Sequence, residues 1–203
     1  PIIGVNMGSL GFLTQIAREE FEDVLSRLDP ERMPVSSRMM LKANVRGNDE
    51  EFLALNDVVL TKSAESRMLS FEARVDGELV TRYAADGMIL ATPTGSTAHS
   101  LSAGGPVVQP DVEAIIATPI CPHTLSMRAC VVPPTAIVEV ELLSSDDATI
   151  VTTDGLSAFG VSEGDTVQIR VADKRARLVD MAERSYYEIL RTKMRWAGRV
   201  RER

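Results

Sequence analysis

Through the middle of the chain, apolar residues alternate with polar ones at a period of two. Leu41, Ala43 and Val45 alternate with Lys42, Asn44 and Arg46, and Gly47-Asn48 offers a turn before an apolar run from Phe52 to Leu60. Phe71, Ala73 and Val75 alternate with Glu72 and Arg74, and Asp76-Gly77 predicts a tight hairpin into Leu79 to Tyr83. Val138, Val140 and Leu142 alternate with Glu139 and Glu141, Val167, Ile169 and Val171 with Gln168 and Arg170, and Asp154-Gly155 and Gly164-Asp165 supply further turns. Many short antiparallel strands predict an all-β, sandwich-like domain over residues 35–180, and no crossover-helix pattern supports a parallel sheet there.

The two ends follow a different pattern. Ile2 to Val5 reads as a buried strand running into the glycine-bearing turn Asn6-Met7-Gly8-Ser9-Leu10-Gly11-Phe12-Leu13, where Phe12 and Leu13 are either core side chains or a pocket wall. Phe21, Val24, Leu25 and Leu28 fall at helical spacing and predict a helix over 18–28, stopped by Asp29-Pro30. Residues 1–34 therefore read as the C-terminal edge of a truncated α/β, Rossmann-like domain. Residues 181–203 return to helix, with Tyr187, Leu190 and Met194 on one face and a basic end docked through Trp196, expected to pack back on that domain. The expected class is α+β. The opening on Pro1, without an initiator Met, predicts further sequence upstream.

Composition narrows the function classes. With 203 residues, 44% of them apolar, the chain is long enough to bury a real core. A formal charge of −7 provides no basic surface for a nucleic acid. Cys121 and Cys130 are not in a Cys-x-x-Cys spacing, and His99 and His123 are the only histidines, so a structural zinc site is not expected. With no secretory leader in the pattern, a reducing cytoplasm is expected, and the Gly, Pro, Ser and Thr content of the uncharged stretch 87–110 argues against a membrane span.

That uncharged stretch is the main chemical feature. Asp86-Gly87 opens an apolar strand that passes into Thr92-Pro93-Thr94-Gly95-Ser96-Thr97-Ala98-His99-Ser100-Leu101-Ser102-Ala103-Gly104-Gly105-Pro106. Small, hydroxylated and glycine residues can aim several N–H groups and hydroxyls at one polar ligand, or can form a surface loop entering a helix. Asn56-Asp57 interrupts its apolar run and reads either as a holder of ribose hydroxyls or a carboxamide, or as a bulge or edge turn. Asp86 reads as a turn aspartate and His123, after Pro122, as a structural histidine. No P-loop, nucleophile elbow or protein-kinase signature is present, so these residues support a polar small-molecule site without naming a reaction.

Taken together, the opening turn 4–13, Asn56-Asp57, Asp86-Gly87, the string from Thr92 to Pro106, the segment Pro119 to Arg128, Asp154-Gly155 and Lys193-Met194-Arg195-Trp196 resemble the NAD kinase family in order and approximate spacing. The resemblance implies transfer of a phosphoryl group from ATP or polyphosphate, with Mg²⁺, to the 2′-hydroxyl of the adenosine ribose of NAD, giving NADP, in a homodimer or homotetramer. By position, Asn56 and Asp57 would contact the dinucleotide, Thr97, Ala98, His99, Ser100, Leu101 and Ser102 would line its site, and Arg67 and His123 would contribute. Asp86 would reach a neighbouring subunit's site. The family's Gly-Gly-Asp-Gly-Thr motif, with its catalytic aspartate, has no counterpart in these residues and would precede Pro1, so this stretch alone is expected to bind rather than to catalyse. His99 stands where the family commonly has Tyr, Leu156 where Gln is common and Ala129 where Pro is common. A non-catalytic nucleotide-sensing module and a related lipid kinase are the alternative readings.

Overall fold

In this computed structural model the residues described are 1–8, 11–14, 16–29, 32–62, 68–145, 149–180 and 185–196. The chain divides into one unit made of Pro1–Ser37 with Ala176–Arg203 and a second made of Arg38–Arg175. The elements run β1 (Val5–Asn6), β2 (Ile16–Ala17), α1 (Phe21–Arg27), β3 (Val35–Arg38), β4 (Leu41–Val45), β5 (Phe52–Ala54), β6 (Asp57–Lys62), β7 (Leu69–Val75), β8 (Glu78–Ala85) and β9 (Gly87–Ala91). There follow α2 (His99–Ser102), β10 (Ile115–Ile120), β11 (Cys130–Val132), β12 (Val138–Ser144), β13 (Thr149–Thr153), β14 (Leu156–Val161), β15 (Thr166–Val171), β16 (Ala176–Val179) and α3 (Tyr186–Met194).

The second unit is the antiparallel sandwich that the period-two pattern predicts. Its described strands form two six-stranded sheets, ordered β11-β10-β9-β6-β13-β14 and β5-β4-β15-β12-β7-β8. The alternating side chains of both sheets meet in one core: Leu41, Val58, Leu60, Phe71, Met88, Leu90, Ile115, Val138 and Ile169 are among its buried members. Phe71 stacks on Tyr83 at 5.1 Å within it. The hairpin signals hold as well, since Asp76 and Gly77 both take positive φ (51° and 83°) between β7 and β8, as a twist-matched two-residue turn requires.

The apolar run 52–60 is broken into two strands at the polar interruption. β5 lies at the edge of the second sheet and β6 in the middle of the first, so Leu55 and Asn56 make the corner at which the chain changes sheets. The neighbouring β9 is buried on both faces. Met88 and Leu90 enter the inter-sheet core, whereas Ile89 and Ala91 join Val59 and Ile116 in a smaller cluster on the outer face, covered by Ala103, Val108 and Ile120.

The first unit shows a parallel pair β1–β2, the helix α1, and β16 paired with β3. Three expectations change here, at Ile2, on the stripe of α1 and at Trp196, which is exposed rather than docked. Ile2 is 60% exposed and makes only an isolated parallel bridge to Leu178, because among the described residues β1 has a strand on one side only. On the stripe of α1, Val24 is buried but Leu25 is exposed, since the seven-residue helix turns only a narrow face inward. In α3, Ile189 and Leu190 are the buried residues, Tyr187 and Trp196 are exposed, and Phe12 packs against Tyr186 at 6.0 Å, so Phe12 serves packing. Ser185 caps this helix, its hydroxyl accepting the Glu188 N–H. Among the described residues no helix is long and apolar enough to cross a membrane.

Candidate functional site

Three segments of the sandwich meet at the Leu55-Asn56 corner. The first is the corner itself, entering β6 at Asp57. The second leaves β9: Thr92 N–H donates to the Asn56 carbonyl (2.8 Å), and Thr92 Oγ1 donates to the Leu55 carbonyl (2.6 Å) while accepting the Gly95 N–H (3.0 Å). Gly95 is required at this crossing, because a Cβ there would lie 2.0 Å from the Asn56 carbonyl oxygen. The third is the β13–β14 turn, where Asp154 N–H donates to the Asp57 carbonyl (3.0 Å). The Asp154 carboxylate accepts the N–H groups of Leu55 (2.8 Å), Asn56 (2.7 Å) and Asp57 (3.1 Å).

Beside this junction lies an open pocket of about 370 Å³ lined by Asn56, Asp57, Val59, Thr61, Ala98, His99, Thr152, Asp154 and Gly155. Its floor follows from the pleat. Asp57, Val59 and Thr61 alternate along β6 on the outer face, with Thr152 paired to Val59 on β13. Its wall is the turn from the short 3₁₀ segment Gly95–Thr97 into α2. Among the described residues no Lys or Arg lines the pocket, and its ionisable residues are Asp57, Asp154 and His99. Such a surface suits hydroxyls, amides and ring nitrogens better than phosphates.

Asp57 is only 5% exposed. Burial raises its pKa above the ordinary carboxylate value, and the Asp154 charge raises it further, while His99 acts in the opposite sense. A carboxylate held this way gains most from a ligand hydroxyl, which supplies the donor that burial takes away.

The residues expected in the site separate into groups. Asn56, Asp57, Ala98 and His99 line the pocket. Thr97, Leu101 and Ser102 are on the same short helical segments without lining it; Ser102 is exposed, and Thr97 Oγ1 lies 3.4 Å from the Thr94 carbonyl. Ser100 faces inward, fully buried, its Oγ sharing a 2.9 Å hydrogen bond with Thr118 Oγ1. Asp86 sits at the opposite end of β9 from the loop, ion-paired with Lys62 at 2.9 Å. His123 is exposed on the segment after β10, its N–H donating to the Ala84 carbonyl. Arg67 lies outside the described residues. Sequence reasoning did not place Asp154, Thr61 and Thr152 in the site; the signal for Asp154 was the Asp-Gly turn, which reveals a hairpin but not where its carboxylate reaches.

Ser100→Ala tests the inward assignment. Leaving the Thr118 hydroxyl without its partner is expected to lower stability by about 1–2 kcal/mol. Chemical denaturation reads this directly, and binding at the pocket should stay within twofold of wild type.

Fold and site together define an antiparallel sandwich with a polar pocket on the outer face of one sheet. The model of the ATP-NAD kinase C-terminal domain matches residues 55–181. An NAD kinase from Geobacter sulfurreducens is 46% identical over 202 residues, and one from Geotalea daltonii is 43% identical over 202 residues; both alignments cover 98% of this chain and 71% of the relative. Among solved structures, yeast NADH kinase complexed with NADH matches with a TM-score of 0.87 at 29% identity, over 98% of this chain and 60% of that one. An NAD kinase from Archaeoglobus fulgidus in complex with ATP matches with a TM-score of 0.80 at 30% identity, over 98% of this chain and 75% of that one. The chain belongs to the NAD kinase family, a family of phosphotransferases.

Proposed function

We propose that the protein phosphorylates NAD at the 2′-hydroxyl of its adenosine ribose, drawing the phosphoryl group from ATP or polyphosphate, and that the outer-face pocket holds the adenosine end of the dinucleotide. The observation that carries this reading is the pocket itself: Asn56, the buried Asp57 and the Ala98-His99 turn converge in a cavity that, among the described residues, no Lys or Arg lines. A ribose diol and an adenine are neutral and rich in hydrogen-bonding groups, which is the chemistry these walls can satisfy. Asn56 can both donate to and accept from a ribose hydroxyl, and Asp57 accepts from one. His99 offers a flat ring against a base, in place of the family's usual phenol. The relatives bound to NADH and to ATP support a nucleotide here.

Among the described residues no three His, Cys, Asp or Glu side chains converge to hold a metal. They do not fit a protein-held Mg²⁺ site, and Mg²⁺ would be carried on the donor's phosphates. The part of this chain in the reaction is to bind and orient the acceptor, since phosphoryl transfer depends chiefly on positioning and charge neutralisation. Asp86, outside the pocket of its own chain, is proposed to face a neighbouring copy in a homodimer or homotetramer, and the protein to work in the cytoplasm.

The direct test is NADP formation by the full-length protein supplied with NAD, ATP and Mg²⁺. Folded protein that makes no NADP overturns the reading. A finer test uses Thr97→Ala and Ser102→Ala, each expected to weaken NAD binding by about threefold to tenfold with unchanged thermal unfolding. Calorimetric titration that finds both affinities at the wild-type value would remove the α2 segment from the site.

A further inference from the structure

Three hydrogen bonds beside the pocket converge on one carboxylate, that of Asp154. We propose that Asp154 is the positioning residue of the acceptor site: its carboxylate fixes the backbone of Leu55, Asn56 and Asp57, and through it the two side chains that read the ribose. The inference rests on the functional reading above and concerns how that site is held.

A two-residue hairpin needs positive φ at its centre, which Asp154 and Gly155 supply at 51° and 80°. Positive φ at the first position favours Asp, Asn or Gly, but it does not require the carboxylate to bond outside the hairpin. Yet the side chain leaves its own hairpin and receives three consecutive N–H groups at 2.7–3.1 Å from a corner about a hundred residues earlier in the sequence. Those N–H groups belong to residues passing from one sheet to the other, where strand pairing stops. Asp154 thus supplies a protein acceptor to all three donors, while the carbonyls of the same corner accept from Thr92 and from the Asp154 N–H. A carboxylate has acceptor sites for all three donors at once, which an amide or hydroxyl at the same position does not. The arrangement also places the Asp154 charge beside Asp57, with His99 facing it from the opposite wall.

The experiment compares full-length wild-type, Asp154→Asn and Asp154→Ala proteins. Amide exchange at residues 55–57 is expected to accelerate by about a hundredfold in Asp154→Ala and by less in Asp154→Asn, which keeps one carbonyl acceptor, while Met88 to Leu90 stay protected in both. NAD affinity is expected to fall about tenfold in Asp154→Ala, expressed mainly in KM with a smaller change in kcat, with Asp154→Asn between it and wild type. The Asp57 carboxyl should titrate closer to the ordinary range in both variants, because the neighbouring negative charge is gone. Unchanged exchange at 55–57 overturns the proposal. So does an Asp154→Ala affinity within twofold of wild type, because a residue that only stabilises the hairpin would leave the folded molecules binding normally. Should Asp154→Ala fail to fold, Asp154→Asn decides on the same readouts. Wild-type protein that binds no NAD would overturn the NAD reading instead, and the exchange at 55–57 would still decide whether Asp154 holds the corner.

Discussion

Gly95→Val is expected to reduce NAD affinity by about a hundredfold or more and to lower stability by about 1–3 kcal/mol. A Cβ at position 95 would stand 2.0 Å from the Asn56 carbonyl oxygen, 2.5 Å from its carbonyl carbon and 2.7 Å from its Cα. All three are backbone atoms, so no side chain can rotate aside. Either the Thr92–Gly95 segment lifts, breaking the bonds from Thr92 to Leu55 and Asn56, or the corner moves away from Asp154. The first response displaces the segment that carries Ala98 and His99, the second displaces Asn56 and Asp57, and a shift of either kind suffices to remove a positioned hydrogen bond. Urea denaturation and NAD titration of the same preparation read the two effects. Wild-type affinity in a folded Gly95→Val protein would show that the crossing does not govern the site.

Asp57→Asn is expected to separate binding from stability in opposite directions. The proposed ribose contact loses its charge, and NAD affinity falls by about tenfold to a hundredfold. Stability at neutral pH rises instead. Burial and then the Asp154 charge raise the Asp57 pKa, so the folded protein holds that proton more tightly than the unfolded chain, whose carboxyl titrates near 3.8. As pH climbs from 3.8 through the raised folded value, the unfolded state loses the proton first and Asp57 progressively destabilises the fold. The penalty is complete above the folded pKa and vanishes below the unfolded one. The variant should therefore be more stable than wild type at pH 7, and the two should converge as the pH is taken down to 3.8 and below. Urea midpoints across that range check the sign; a variant less stable at pH 7 would contradict it.

The sandwich was legible because its strands each bury one face, and a period of two survives wherever that holds. It failed where burial is two-sided or brief. Residues 52–60 read as one apolar run because the alternation does not record which sheet a strand joins, and the sheet change at Leu55-Asn56 depends on contacts from Thr92 and Asp154, both distant in sequence. The loop after β9 is legible by its composition, which leaves open whether its hydroxyls face a ligand or hold the loop, and several of them hold the loop. Thr92 bonds Leu55, Ser96 Oγ donates to the Pro93 carbonyl and accepts the Val108 N–H, and Ser100 pairs with Thr118. A small hydroxyl residue carries the same letter whether it faces a pocket or stitches a turn. Of the residues that the family resemblance groups together, Asn56, Asp57, Ala98 and His99 line one pocket, whereas Asp86 and His123 lie elsewhere on this chain.

β9 carries a last consequence for how such a site can evolve. Its two faces are packed into separate clusters, and the segment it launches is tied down by its own hydroxyls as far as Ser96. Variation as far as Ser96 therefore disturbs the bonds that hold the loop to the sandwich before it can touch ligand choice. Ala98 and His99, exposed at the tip, are free of that constraint. Adaptation to a different nucleotide would be channelled to this dipeptide, with the frame beneath it inherited unchanged.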